Sequence, residues 1–338
     1  MSPVVHRRAE LIVSVLTFWK TLSSLLHDGQ RVFLALVAAH DEHSPGTAGA
    51  KMLIPERGEP LGSVGGGIME YDIVQRARAV LAGGEAFAPE VEALNHHTKG
   101  ADNPSGLVCA GRQTNLYFLC IPEKDRATLE QVVALVEADR SGWLTISPSG
   151  MAVAERAPEL EQSAVVLTQE QGSWRYDEQL LNRKRLAILG GGHCSLALSR
   201  LMRWLGYEVL VFDTRPEIRS FENNPYARTV RLDDYREAAA HLPFPELTSV
   251  VLMTNAFEAD MQGLLGVLPL PVPYVGLMGS HAKIGRVFSA LRKEGVAKEA
   301  LARVVAPIGL PIESDTPEEI AVSVAAQLVQ IKNVKRET

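Results

Sequence analysis

Apolar residues recur along this chain in two spacings, one helical and one of continuous runs. Leu11, Val15, Phe18, Leu22 and Leu25/Leu26 fall at helical intervals and predict an amphipathic first helix. The run VFLALVAA at 32–39 then predicts a buried strand, and short apolar segments at 51–55 and 60–64 a hairpin-like pair. A helix is expected over about 68–81, a strand over 114–121 and a second helix over about 124–138. Several short strands should follow to about Tyr176. The polar, charged stretch YDEQLLNRK at 176–184 reads as a linker.

Beyond it the pattern alternates. Apolar runs at 186–189, 209–212, 248–254 and 273–277 are separated by helical patterns. One such helix is stopped by Gly206, another covers about 258–268, and a third ends near Gly295. Strands alternating with helices predict a parallel, doubly wound sheet with ligands at the carboxyl ends of its strands. The last helix has a sharp start, with Thr316 as N-cap, Pro317 at its first position and Glu319 closing a capping box. The expected class is therefore α/β: a C-terminal Rossmann-like doubly wound parallel sheet at 185–338, plus a smaller α+β N-terminal domain at 1–178.

The segment RLAILGGGHCSLALSRLMRWLGYEVLVFD is the chemical centre of this pattern: strand, glycine turn, helix, strand, acid. Glycines at a strand-to-helix turn let a phosphate approach the backbone, where the helix N-terminus offers N–H groups and positive potential. Gly190, Gly191, Gly192 and His193 are the candidate phosphate contacts. Asp213, 23 positions after Gly190, is the candidate ribose acceptor. Ser195 stands at the third glycine position of the fingerprint, so the match is imperfect. His193 lies in the phosphate turn, where a contact to phosphate fits better than proton transfer.

A second triplet, Gly65, Gly66 and Gly67, also feeds a helix and is read as a packing turn or a second anion cradle. Near the C-terminus, Ser280 is a natural N-cap, followed by His281, Lys283 and Arg286 in the first turns. Cations there oppose the helix dipole, which hints at a bound anion, against the alternative of a solvated turn. Cys109 sits among small residues near glycines, where a ligand could reach its thiol, against the alternative of a small buried hydrophobe. Cys120 reads as a small buried hydrophobe, and the adjacent His96 and His97 as surface-loop residues.

Composition narrows the class. The chain has 338 residues, 46% hydrophobic and 22% charged, with a formal net charge of −6, which suits a soluble two-domain protein and argues against nucleic-acid binding. Three scattered cysteines without a CxxC fit a reducing cytosol rather than a disulfide framework or a structural zinc site. The apolar run from Leu11 to Trp19 is bracketed by Glu10 and Lys20 and lacks a cleavage site. It is therefore read as helix rather than signal peptide, and no other stretch has the length of a membrane span.

Several segments together resemble the XdhC/CoxI family, accessory factors of xanthine dehydrogenase and related molybdenum hydroxylases. They are PGTAGAKML with GSVGGGIMEYD, GLVCAGR, LAILGGGHCSLAL with VLVFDTRPE, YVGLMGSHAKIGR and APIGLPIESDTPEEIAVSVAAQLV, in the expected order over both domains. The resemblance implies a cytoplasmic, generally dimeric protein that binds the molybdenum cofactor. It would protect that cofactor while a cysteine desulfurase partner installs the terminal sulfur, then pass it to an apo molybdenum hydroxylase. The cofactor's phosphate would lie at Gly65–Gly67 or at the Ser280, Lys283, Arg286 corner, with a further phosphate or nucleotide site at Gly190–Gly192. Family members commonly carry a cysteine where this chain has Ile68, and histidines where it has Asn255, Ala256 and Phe257. A sulfur role, which the catalytic candidate Cys109 would carry, therefore rests on that residue alone. The chain lacks the cysteine sets of iron–sulfur clusters and is short for a molybdenum hydroxylase. Two other readings remain open, an NAD-dependent oxidoreductase and a nucleotide-sensing protein, both using the Rossmann domain.

Overall fold

Residues 14–84, 86–95, 111–160, 163–170 and 172–334 are described by a computed structural model. The chain divides into two compact units, Met1–Leu181 and Asn182–Thr338. In the first, α1 (Val15–His27) leads to β1 (Val32–His40), β2 (Lys51–Pro55) and β3 (Leu61–Gly62). Next come α2 (Gly67–Gly83), β4 (Glu90–Asn95), β5 (Arg112–Cys120) and α3 (Pro122–Glu137). The unit ends with β6 (Gly142–Ser147), β7 (Gly150–Glu155), β8 (Val165–Glu170) and β9 (Ser173–Gln179).

One antiparallel sheet has the order β3-β2-β1-β5-β4 and a second the order β7-β6-β9-β8. The larger sheet is covered on both faces, which explains why β1 is a continuous apolar run rather than an alternating one. Phe33, Ala35 and Val37 pack with Met69, Ile73 and Ala77 of α2. Leu34 and Leu36 pack instead with Trp19 and Leu22 of α1, Leu129 of α3 and Ile146 of β6. Each such fully buried Leu or Phe contributes about 1.5–3 kcal/mol.

The stretch expected to be a linker contains the boundary between the two units, but its first half is not a linker. Tyr176 to Gln179 belong to β9, and Tyr176, Leu180 and Leu181 are buried. Its charges mislead because they are paired internally: the buried Glu178 takes Lys51 Nζ at 2.5 Å and the Tyr176 hydroxyl at 2.8 Å. Glu90–Asn95, for which the apolar pattern predicts no element, is also a strand, paired to β5.

The second unit contains β10 (Arg185–Leu189), α4 (His193–Trp204), β11 (Glu208–Asp213), α5 (Arg219–Glu222) and β12 (Arg228–Arg231). It continues with β13 (Thr248–Leu252), α6 (Phe257–Val267), β14 (Val275–Leu277), α7 (His281–Lys293), α8 (Lys298–Ala302), β15 (Val304–Val305) and α9 (Pro317–Val334). All neighbouring strands are parallel, in the order β12-β11-β10-β13-β14-β15. The order reverses between β10 and β13, the switch point at which Rossmann-type sheets open a crevice. Alternate residues serve opposite faces: Leu189, Phe212 and Leu252 meet Leu264 of α6 and Val287 of α7, while Ile188, Val211 and Val251 meet Leu198 of α4 and Val324 of α9. The capping box of α9 is formed, with Glu319 N donating to Thr316 Oγ1 at 3.2 Å and Thr316 N donating to Glu319 Oε2 at 3.0 Å. Among the described residues no helix is long and apolar enough to cross a membrane.

Candidate functional site

Each unit carries a glycine triplet at the start of a helix, and the two are built differently. In the first, the Glu70 carboxylate turns back from the opening turn of α2. Its Oε1 accepts from the N–H groups of Val64 at 2.7 Å, Gly65 at 3.1 Å and Gly66 at 2.8 Å, and from Ser63 Oγ at 2.5 Å. Burial alone would raise this carboxyl, but the hydrogen bonds from Ser63, Gly66, Val64 and Gly65 outweigh it and hold the pKa below the ordinary value. The turn is a working anion cradle, and the anion it holds belongs to the chain.

Around that turn a buried polar ladder runs along β5. Gln113 accepts from Ser44 Oγ and Gly46 N, and donates to Val64 O and to Asn115 Oδ1. Asn115 in turn donates to the Tyr117 hydroxyl at 3.3 Å. One glutamine side chain thus ties the 43–50 loop to the glycine turn. The main chain is as close-packed: a Cβ on Gly111 would lie 2.8 Å from His43 C, and one on Gly65 3.0 Å from Gly46 N. Three segments of the resemblance therefore meet here. Cys109, together with His96 and His97, lies outside the described residues. Ile68 is exposed on the first turn of α2 beside the turn, as is Tyr71.

In the second unit the three glycines have three duties. Gly190 has φ 103°, and a Cβ there would sit 2.7 Å from Met253 O. Gly191 packs against the Phe221 ring, where a Cβ would come within 2.6 Å of Phe221 Cβ. A Cβ on Gly192 would meet nothing within 4 Å among the described residues, so its missing side chain leaves open space at the start of α4. Gly192 is the N-cap, no side chain caps it, and the first turn of α4 carries no acid. The first N–H groups of a helix have no intrahelical acceptor, so this turn offers them outward. His193 is exposed at the first position, and the buried Ser195 hydroxyl has no hydrogen-bond partner among the described residues.

Asp213 stands at the end of β11 with no exposed surface. Its Oδ2 accepts from Gly191 N at 2.6 Å and Arg215 Nη2 at 2.7 Å, and its Oδ1 from Arg215 N at 2.8 Å and Arg215 Nε at 3.1 Å. Burial would raise this carboxyl, yet Arg215 and the two N–H groups hold it below its ordinary value. Arg215 carries no signal in the glycine fingerprint, although its place two residues beyond the acid could suggest a pair.

The basic corner resolves into separate partnerships. Ser280 caps α7 by accepting from Lys283 N at 3.3 Å. Lys283 Nζ turns inward to the fully buried Asp260 at 2.5 Å and donates to Thr254 O at 3.0 Å, while Thr254 Oγ1 donates to Asp260 Oδ1 at 2.6 Å. Burial lifts the Asp260 carboxyl despite Lys283 and Thr254. Arg286 lies over the Phe257 ring at 5.4 Å. Lys283 thus neutralises a buried acid, which accounts for a cation at a helix N-terminus without an external anion. Asp260 gives no sequence signal, being one of two acids in an ordinary first helical turn. Cys194, on the first turn of α4, has its thiol pushed up by burial, as has the fully buried Cys120. Neither is an activated thiolate. Among the described residues no three His, Cys, Asp or Glu side chains are grouped to hold a metal ion.

Comparison with known proteins matches these two units to one family. The family model for the XdhC Rossmann domain matches residues 186–328, and that for the XdhC and CoxI family matches residues 25–91. A Bacillus subtilis protein described as a probable xanthine dehydrogenase subunit is 23% identical over 93% of this chain and 97% of its own length. An uncharacterized Escherichia coli protein, YqeB, is 33% identical over 45% of this chain, which spans only 28% of that relative's length. The solved structure of a Bacillus halodurans protein described as a xanthine dehydrogenase superposes with a TM-score of 0.72 at 22% identity, covering 95% of this chain and 96% of the other, and shares the fold. With both characteristic segments present in order, one in each unit, this chain belongs to the XdhC/CoxI family.

Proposed function

We propose that this chain is an accessory factor in the maturation of a xanthine dehydrogenase-type molybdenum hydroxylase, and that it carries the molybdenum cofactor to its client. The observation that carries the reading is the family match in both units, with a Bacillus subtilis relative of nearly the same length whose name ties it to xanthine dehydrogenase. The cofactor's pyranopterin ends in a phosphate, and the two glycine turns differ in their fitness for it. The Gly65–Gly67 turn already holds Glu70. The α4 turn has an uncapped N-terminus, open space at Gly192 and a buried hydroxyl without a partner at Ser195. Gly192, His193 and the opening N–H groups of α4 would hold the phosphate by backbone donors and the helix dipole.

When bound, the cofactor would supply a molybdenum centre ready to accept a terminal sulfur. Cys109 would approach it, because the family's cysteine position is Ile68 here and neither Cys120 nor Cys194 is activated. A cysteine desulfurase would supply the sulfur, and two copies of the chain would form the working assembly in the cytoplasm. The chain would act on its client as a carrier rather than oxidise a purine itself.

The test is purification from a host that makes the cofactor, with bound pterin oxidised to its fluorescent derivative and counted, in the wild type and in Cys109→Ala. Near-stoichiometric pterin in the wild type is expected, with a reduced sulfurated fraction in the variant. A wild-type protein that never carries pterin, under conditions that load the client enzyme, contradicts the reading.

A further inference from the structure

The strand–turn–helix–strand–acid pattern suggests a dinucleotide site, but the side chains around it oppose one. An NAD-type ligand lays its adenosine ribose between the glycine turn and the end of the next strand, where an acid accepts the ribose hydroxyl. Here that acid is Asp213, with no exposed surface and both oxygens engaged by Gly191 N and Arg215. A carboxylate has about four lone-pair sites, and these four donors take them.

The neighbouring volume is also filled. After β11 the chain turns into α5, and Ser220 Oγ donates to Gly191 O at 2.6 Å. The buried Phe221 lies against Gly191, with the Arg231 guanidinium 4.4 Å from its ring centroid. Asn224 Nδ2 donates to Ser199 Oγ at 3.1 Å, which fastens the end of this segment to α4. Gly191 is therefore held at its N–H by Asp213 of β11 and at its carbonyl by Ser220 of α5.

We infer that this Rossmann unit excludes NAD-type dinucleotides, because the Asp213–Arg215 pair and the Ser220–Phe221 segment fill the place of the adenosine ribose. Asp213 is then a staple between the glycine turn and β11, not a ligand acceptor. The open end of α4 at Gly192 lies outside this closure and is left for a phosphate whose nucleoside, where it has one, does not reach β11. The exclusion goes beyond the carrier reading and can fail without it, since pterin loading does not use Asp213.

The test uses the full chain with NAD+, NADP+ and ADP-ribose in titration calorimetry. Wild type should show a Kd weaker than about 1 mM for all three, and Arg215→Ala, which uncovers the Asp213 carboxylate, should bind NAD+ at least about tenfold tighter. Amide exchange at Gly191 in the wild type gives a reading that needs no variant: strong protection, unchanged by NAD+ at about 1 mM. A wild-type Kd below about 1 mM for NAD+, a change in Gly191 exchange on adding it, or a folded Arg215→Ala protein without that tenfold gain would each overturn the inference.

Discussion

The two glycine turns of this protein look alike in sequence and are opposite in design. In the first, three consecutive N–H groups converge on a carboxylate supplied four residues later by the same helix. In the second, one N–H is tied to a carboxylate supplied by the next strand, and the first turn of the helix itself carries no acid. The first is a closed structural corner that uses anion-binding geometry to fix a chain path. The second is half closed, fixed through Gly190 and Gly191 and open at Gly192. A glycine triplet before a helix therefore marks where an anion can sit, and the side chains decide whose anion it is.

The strongest test of this division lies within the second turn. Gly190→Ala places a methyl against Met253 O in a left-handed backbone and should cost about 3 kcal/mol or more, read as a lowered midpoint in urea unfolding. Asp213→Ala should follow at about 2–3 kcal/mol. It leaves Gly191 N without its acceptor, while Arg215, about a third exposed, can turn to water.

For the first turn, Glu70→Ala should cost about 1–2 kcal/mol, the magnitude of a lost helix cap. It also has a pH signature. Because the folded carboxyl lies below its ordinary value of 4.5, its contribution is complete above that value and disappears as pH falls through the lowered folded value. Glu70→Gln should lose stability at neutral pH and lack that acid-side component, measured by urea midpoints between pH 3 and pH 7. The smallest effect on stability belongs to Gly192→Val, about 0.5–1 kcal/mol, since φ is −74° and a Cβ meets open space, so that only the N-cap preference for glycine over valine is lost. Its effect should appear instead in ligand loading.

Much of the fold is legible along the chain, and the reasons differ by region. The second unit declares itself because a parallel sheet buried on both faces requires unbroken apolar strands, and α4, α7 and α9 each have a recognisable start or stop. The capping box at Thr316 is strictly local, so sequence suffices to find it. The path of β9 is not local. Asp177 and Glu178 look like linker residues until Thr145, Arg175, Lys51 and Tyr176 are brought to them within the folded sheets. Glu90 and Glu92 disguise β4 in the same way, each being paired with Arg76 of α2.

The candidate site divides along the same line. Which backbone segments form turns can be read from glycine, but partners cannot. Glu70 stands inside its own turn's reach and is the most recoverable of them. Asp213 has the position of a ribose acceptor and loses that availability to Arg215, two residues away. Lys283 has the position of an anion ligand and is claimed by Asp260, 23 residues earlier in sequence and 2.5 Å away in space.

If the cofactor's phosphate uses the open α4 turn and not the closed α2 turn, bound pterin should report the difference directly. The measurement is a count of bound pterin in wild type, Gly192→Val and Glu70→Ala, purified side by side from a cofactor-producing host. Full loading is predicted in the wild type, with loss in Gly192→Val despite only a small change in unfolding midpoint, and retention in Glu70→Ala. Loading that survives Gly192→Val and disappears with Glu70→Ala would contradict this assignment and place the phosphate at the first turn.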